Sequence, residues 1–257
     1  MQIRKQTTKL VEELISLRNS RKSADDFNFN FLINFYEISK LMNSHLKKSE
    51  SSSEELKLIA HRQYFVFLVS CWETFFRDFF IYIHSKDEES ISSLMKKMNI
   101  YDDSISLKNI TLPELLSKSF NFQNIMDIES AFNTLWGSDF FNYVCNTETG
   151  YCGIGGEITK SFSINNLFSD WDNVIKTTFD IRHKVIHDAN FRPEFDALFI
   201  QKAESLFLIV PQLVTYFLIV RFDLEHVYLS HNGVTVPSIF TIHDILGQWQ
   251  EVRESKD

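Results

Sequence analysis

The sequence predicts an all-α fold, and three observations point there. Gly and Pro are scarce, at 7 and 4 of 257 residues, about a third of their usual combined share of roughly 12%. A sandwich or barrel needs many turns, which such a chain cannot supply. Large apolar side chains abound, with 25 Phe and 44% hydrophobic residues, so the chain can bury a sizeable core and is not disordered. Long stretches without a breaker also carry apolar residues at helical spacing.

The elements follow in order. Residues 2–19 read as a helix with Ile3, Leu10, Val11, Leu14, Ile15 and Leu17 on roughly one face. Asp25 or Asp26 caps a second helix over about 28–48, which buries Phe31, Leu32, Phe35, Ile38, Leu41 and Met42 and ends on Lys47 and Lys48. Ser49–Ser53 breaks the pattern, and Ser51-x-x-Glu54 and Ser52-x-x-Glu55 fit a capping box. The third helix, 54–84, contains HRQYFVFLVSCWETFFRDFFIYIH without Gly or Pro and is the strongest element. Residues 85–110 read as polar loop with a short helix near 90–98, followed by helices over 113–119 and 126–136. Residues 145–160 hold four of the seven glycines and read as a loop or irregular hairpin. Ser169 or Asp170 caps a helix over 170–189. Pro193 introduces the last long helix, 194–222, with Pro211 expected to kink it. Beyond 223, Asn232-Gly233 between alternating apolar residues signals a hairpin, with a short helix over 241–252. The organisation is an N-terminal helical extension (1–55), a helical core (56–222) with an irregular insertion around 85–165, and a C-terminal tail (223–257).

Bulk properties restrict function. A net charge of −8 excludes a broad basic surface that coats nucleic acid, so any such contact is confined to a local cleft. Three cysteines, Cys71, Cys145 and Cys152, are an odd number without metal-ligand pairing, which points to free thiols in a reducing compartment. No signal peptide is expected. The longest uncharged apolar run, Ser205–Val220, is broken by Pro211 and falls short of the roughly 20 residues that span a bilayer. A soluble cytoplasmic protein is the expectation.

Most polar clusters carry little. Gly153-Ile-Gly155-Gly156 lacks the Lys-Ser/Thr ending of a phosphate loop. His231 and His243 have no partner at metal spacing, and Glu88-Glu89 and Asp102-Asp103 read as solvated. The informative stretch is Asp180-Ile-Arg182-His183-Lys184-Val185-Ile186-His187-Asp188. On a helix His183 and His187 share a face, and Arg182 lies about 140° from His187. Histidine can take a proton from a 2′-hydroxyl and return one to a leaving oxygen. Arginine stabilises phosphate oxygens as charge builds on them, and this chemistry requires no metal or cofactor. Spacing alone decides nothing: chance predicts about one Arg-x(4–6)-His match and three occur, the others being Arg77–His84 and Arg221–His226. Context separates them: Arg77–His84 lies in the most apolar helix with His84 at its end, Arg221–His226 straddles the end of the last helix, and the 182–187 pair lies inside one helix with a polar residue directly after Arg and Ile181, Val185 and Ile186 expected to anchor it.

The motif Arg, polar residue, three residues, His resembles that of HEPN-domain proteins (higher eukaryotes and prokaryotes nucleotide-binding), with His183 where Asn is commoner and Asp188 where Gly often follows. Phe67-Leu-Val-Ser-Cys-Trp72-Glu73-Thr-Phe-Phe-Arg77-Asp78, Asn109–Leu116 and Trp171–Ile175 are similar to the RiboL-PSP-like branch of that family. The resemblance covers roughly 56–222. It implies an antiparallel helical bundle and a metal-independent endoribonuclease with Arg182 and His187 catalytic. His183, Lys184 and Glu73 are supporting, and a homodimer lines one cleft with two motifs. It also implies a toxin or antiphage effector that acts on RNA and has an antitoxin or defence-system partner. Glu73 has two readings: it orients Arg182 or His187, or it pairs with Arg77 one turn on. The other function class open to the chain is a non-catalytic helical interaction module, or a partner of a nucleotidyltransferase-type protein.

Overall fold

The computed structural model describes residues 15–16, 18, 22–48, 54–97, 110–137, 139–150, 161–193, 196–224, 230–231, 234–235 and 239–242. They are all-helical apart from a two-residue ladder. The helices are α1 (Ala24–Lys48), α2 (Glu54–His84), α3 (Glu88–Lys97), α4 (Leu112–Ser117), α5 (Ile125–Trp136), α6 (Phe140–Asn146), α7 (Ile164–Leu167), α8 (Trp171–His187) and α9 (Ala197–Phe222). Strands β1 (Ser230–His231) and β2 (Val234–Thr235) pair antiparallel, flanking positions 232 and 233 as the Asn-Gly signal implies.

α1 starts four residues earlier than its sequence signal and is capped differently. Ser23, not Asp25 or Asp26, is the cap. Its hydroxyl accepts from the Asp26 N–H, and the Asp26 carboxylate accepts from the Ser23 N–H, a reciprocal capping box. The 54–84 helix has the bounds its unbroken pattern predicts. The helix expected over 2–19 falls outside the described residues except for Ile15, Ser16 and Arg18, which are helical. The Ser49–Ser53 break, the glycines at 153–156 and the 241–252 helix beyond Ile242 also lie outside them. The ends of the glycine-rich segment are joined, because Thr149 and Phe162 form an antiparallel bridge.

α2 is the hub. Phe27 meets Phe79, Phe31 meets Phe75, and Ser39 meets Tyr64, so α1 runs antiparallel to it. Trp72 meets Phe179, and Arg62 reaches Val185, so α8 is antiparallel to it as well. Phe65–Phe199 and Trp72–Phe207 contacts make α9 parallel. The N-terminal extension thus contributes α1 to the common core. The Phe excess fills this core: Phe35, Phe65, Phe76, Phe79, Phe80, Phe122, Phe132, Phe140, Phe141 and Phe207 are fully buried.

Pro211 sits inside α9, where it has no N–H for the carbonyl four residues back. Trp72 answers it, its indole Nε1 donating to the Phe207 carbonyl at 2.6 Å. Gln212 Nε2 donates to Leu208 O, and its amide also clamps both backbone groups of Phe240. α9 is long and apolar enough to cross a membrane, but 78% of its most apolar stretch is buried inside the fold. Cys71 and Cys145 are buried free thiols; burial pushes Cys71 up to about 12 and Cys145 higher still.

Candidate functional site at the end of α8

α8 is amphipathic, so its inner face is Val174, Ile175, Thr178, Phe179 and Val185. This register fixes where each motif side chain goes. Arg182 is half-buried, and its Nε is enclosed without a hydrogen-bond partner. His183, Lys184 and His187 are exposed. The two imidazoles lie side by side, centroids 4.4 Å apart and planes inclined at 48°. Among the described residues neither ring has a hydrogen-bond partner. Ile181 packs against the core and Val185 is buried. Ile186 does not anchor the helix as expected. It is 47% exposed, because one further residue turns it about 100° past the Val185 direction.

The chain reverses tightly after the motif. Asp188 N donates to Lys184 O at 2.8 Å and Phe191 N to Asp188 O at 3.2 Å. Phe191 is thereby folded back until the Lys184 ammonium stands 5.8 Å from its ring centroid. Arg62, from the first turns of α2, lies over this end of α8. Its Nη2 donates to the carbonyls of Val185 (3.5 Å) and Asp188 (3.4 Å), and Nη1 to Ala189 O (3.5 Å). Val185 O belongs to the last turn, where a helix terminus leaves carbonyls without intrahelical partners, and a cation is favoured at that end of the helix dipole. Arg192 Nη1 donates to the same Ala189 O at 2.8 Å and to Phe191 O at 3.3 Å. Arg62 and Arg192 were not legible as site residues. Each is a single arginine in its own segment, and only the fold brings them to one oxygen.

The Glu73 carboxylate takes Arg77 one turn on and the Gln123 amide at 2.5 Å, the structural of its two readings. That engages Arg77, while His84 is buried with Nδ1 3.0 Å from Ser90 Oγ. Burial pulls the His84 imidazole down to about 4. Arg221 lies 4.7 Å over the Trp136 ring, and His226 falls outside the described residues. Of the three Arg-x(4–6)-His matches, the 182–187 pair therefore has two exposed histidines together.

Two other polar clusters lie in the bundle. Tyr64, Ser39 and Glu204 share hydrogen bonds where α1, α2 and α9 meet; burial raises both the Glu204 carboxyl and the Tyr64 phenol. A cavity of about 270 Å³ is lined by Arg18, Phe27, Asp78, Tyr82, Lys86 and Glu114, among others. There Arg18 grips the buried Glu114 carboxylate with two nitrogens, at 2.8 and 3.1 Å. Asp78 is sixteen residues beyond Arg62 on α2, about 24 Å along the helix, so this cavity is separate from the motif. Comparisons with protein-family models, curated proteins and solved structures returned no match for the chain.

Proposed function

We propose that the chain is a HEPN-type, metal-independent endoribonuclease, acting as a toxin or antiphage abortive-infection effector in the cytoplasm. The observation that carries this reading is the pair of exposed, unpartnered imidazoles of His183 and His187 at the end of an anchored helix, beside Arg182. A histidine kept for packing is ordinarily buried and hydrogen-bonded, as His84 is. These two present free ring nitrogens to solvent.

In the proposed reaction the neutral His187 imidazole removes the proton from a ribose 2′-hydroxyl. The 2′-oxygen forms a bond to the adjacent phosphorus, the bond from phosphorus to the 5′-oxygen breaks, and an imidazolium returns a proton to that oxygen. The products are a 2′,3′-cyclic phosphate and a 5′-hydroxyl. Arg182 supports the non-bridging oxygens as they gain charge. His183 and Lys184 add local positive charge, and Glu73 stays with Arg77 as a structural residue. A homodimer that brings two copies of the motif into one cleft would supply both the base and the acid. The exposed Ile186 suits such a contact. It would also gather a basic patch on an otherwise acidic protein.

The test is incubation of the purified chain with total RNA in EDTA, followed by end mapping. Cleavage that survives the chelator and leaves 2′,3′-cyclic phosphates is expected, and His187→Ala should be folded and inactive. A His187→Ala protein that still cleaves RNA overturns the assignment. A wild-type chain that folds and dimerises but cleaves nothing is instead a non-catalytic helical interaction module, or a partner of a nucleotidyltransferase-type protein.

A further inference from the structure

We propose that Arg62 and Arg192 form a subsite for an RNA backbone phosphate, next to the phosphate engaged by Arg182 and His187. The identity of the anion rests on the ribonuclease reading; the site rests on geometry. Guanidinium groups from two distant parts of the chain converge on one acceptor, the Ala189 carbonyl oxygen, at 3.5 and 2.8 Å. Neither has a carboxylate partner among the described residues. The described carboxylates of this segment each give one oxygen to a backbone N–H: Asp188 Oδ1 accepts from Asn190 N at 2.8 Å, and Asp196 Oδ1 from Leu198 N at the start of α9. Two like charges held close together without a carboxylate paired to either among the described residues repel each other. An anion between them relieves that repulsion, and a phosphate matches the fork of donors that arginine offers.

The donors are distributed for this task. Arg62 is half-buried with Nε enclosed and spends its other nitrogens on α8 carbonyls, so it contributes fixed positive charge from behind. Arg192 is exposed and, among the described residues, uses only Nη1, with Nη2 and Nε as the donors for a ligand. Lys184, exposed one turn before His187 and held near Phe191, continues the cationic strip toward the imidazoles. A chain with net charge −8 needs such a local arrangement to hold a polyanion.

The test is fluorescence anisotropy with a labelled single-stranded RNA, titrated against salt, using full-length His187→Ala protein so that the probe stays intact. Removing one phosphate contact lowers the slope of log affinity against log salt by about 0.7 for a single strand. Arg192→Gln should show that loss and about a 5- to 10-fold weaker Kd at moderate salt. Arg62→Lys, which keeps the charge, should keep the slope, whereas Arg62→Gln should lose it. An unchanged slope in Arg192→Gln overturns the subsite, as does a starting protein that does not bind RNA. Inorganic phosphate is the free-anion arm: if it raises the melting temperature only when Arg192 is present while RNA affinity ignores Arg192→Gln, the site takes free phosphate and the RNA assignment is overturned. The two proposals fail separately. RNA binding with the slope loss, but no cleavage by wild type, sinks the nuclease reading and leaves the subsite standing; cleavage with unchanged slopes does the reverse.

Discussion

The seam between α2 and α9 and the exposed end of α8 treat polar groups in opposite ways. At the seam, a proline that should orphan a buried carbonyl is answered by the Trp72 indole, and Gln212 and Thr215 satisfy further backbone oxygens. At the end of α8, among the described residues, two imidazoles have no hydrogen-bond partner and two guanidinium groups share one carbonyl with no carboxylate paired to them. A buried group left unsatisfied costs free energy, so at this seam the freed backbone oxygens are met by side chains. An exposed group can be left open at little cost, and there the open valences are available to a ligand.

The largest way to break this contrast is Trp72→Phe. It leaves the Phe207 carbonyl without its donor and opens space in the core, at a cost of about 3 kcal/mol, read by urea unfolding. Pro211→Ala supplies the missing N–H. In that background Trp72→Phe should cost about 1 kcal/mol less, a coupling measured by the double-mutant cycle. Additive costs would show that the indole is not substituting for the lost backbone bond.

His84 extends the comparison to pH. Burial lowers its folded-state pKa to about 4, against an unfolded value near 6.5. The unfolded chain therefore takes up a proton that the folded chain refuses. Stability is intact above about pH 6.5 and declines as pH falls toward 4, by up to on the order of 3 kcal/mol. His84→Gln should flatten this part of the stability–pH curve. An unchanged acid limb would mean that other groups cause it.

Much of this architecture was legible in the sequence, and the failures have identifiable causes. α2 was readable because thirty-one residues run without a breaker. α6 was missed although Phe140, Phe141, Val144 and Cys145 lie at helical spacing, because it is only seven residues long and begins after Gly137 and Asp139, both at positive φ. α1 began early because a capping box at Ser23 outranked the nearer acids. At the site, contiguity decided what could be seen. Arg182, His183, Lys184 and His187 lie on one helical stretch, so periodicity alone placed them. Arg62 lies 120 residues from Arg182, and its approach depends on how α2 packs against α8.

Adjacent residues of α8 provide a finer test of where core ends and site begins. Val185 is 8% exposed and Ile186 47%. Val185→Ala should cost about 2 kcal/mol, while Ile186→Ser should stay within about 0.5 kcal/mol. If Ile186→Ser destabilises as much in a concentration-dependent way, Ile186 is covered by a second copy, and the exposed end of α8 is an interface.

The smallest effect, and the sharpest on assignment, is Glu73→Gln. Its carboxylate meets Arg77 and Gln123 with 20% of the side chain still exposed. Losing the charge weakens a partly solvated pair, so stability should fall by about 1 kcal/mol or less. On the ribonuclease reading proposed above, the cleavage rate should be unchanged, because the carboxylate is engaged by Arg77 and Gln123. A Glu73→Gln protein with normal stability but a collapsed rate would move Glu73 from the seam to the site, and with it the boundary between the region that holds the fold and the region that acts.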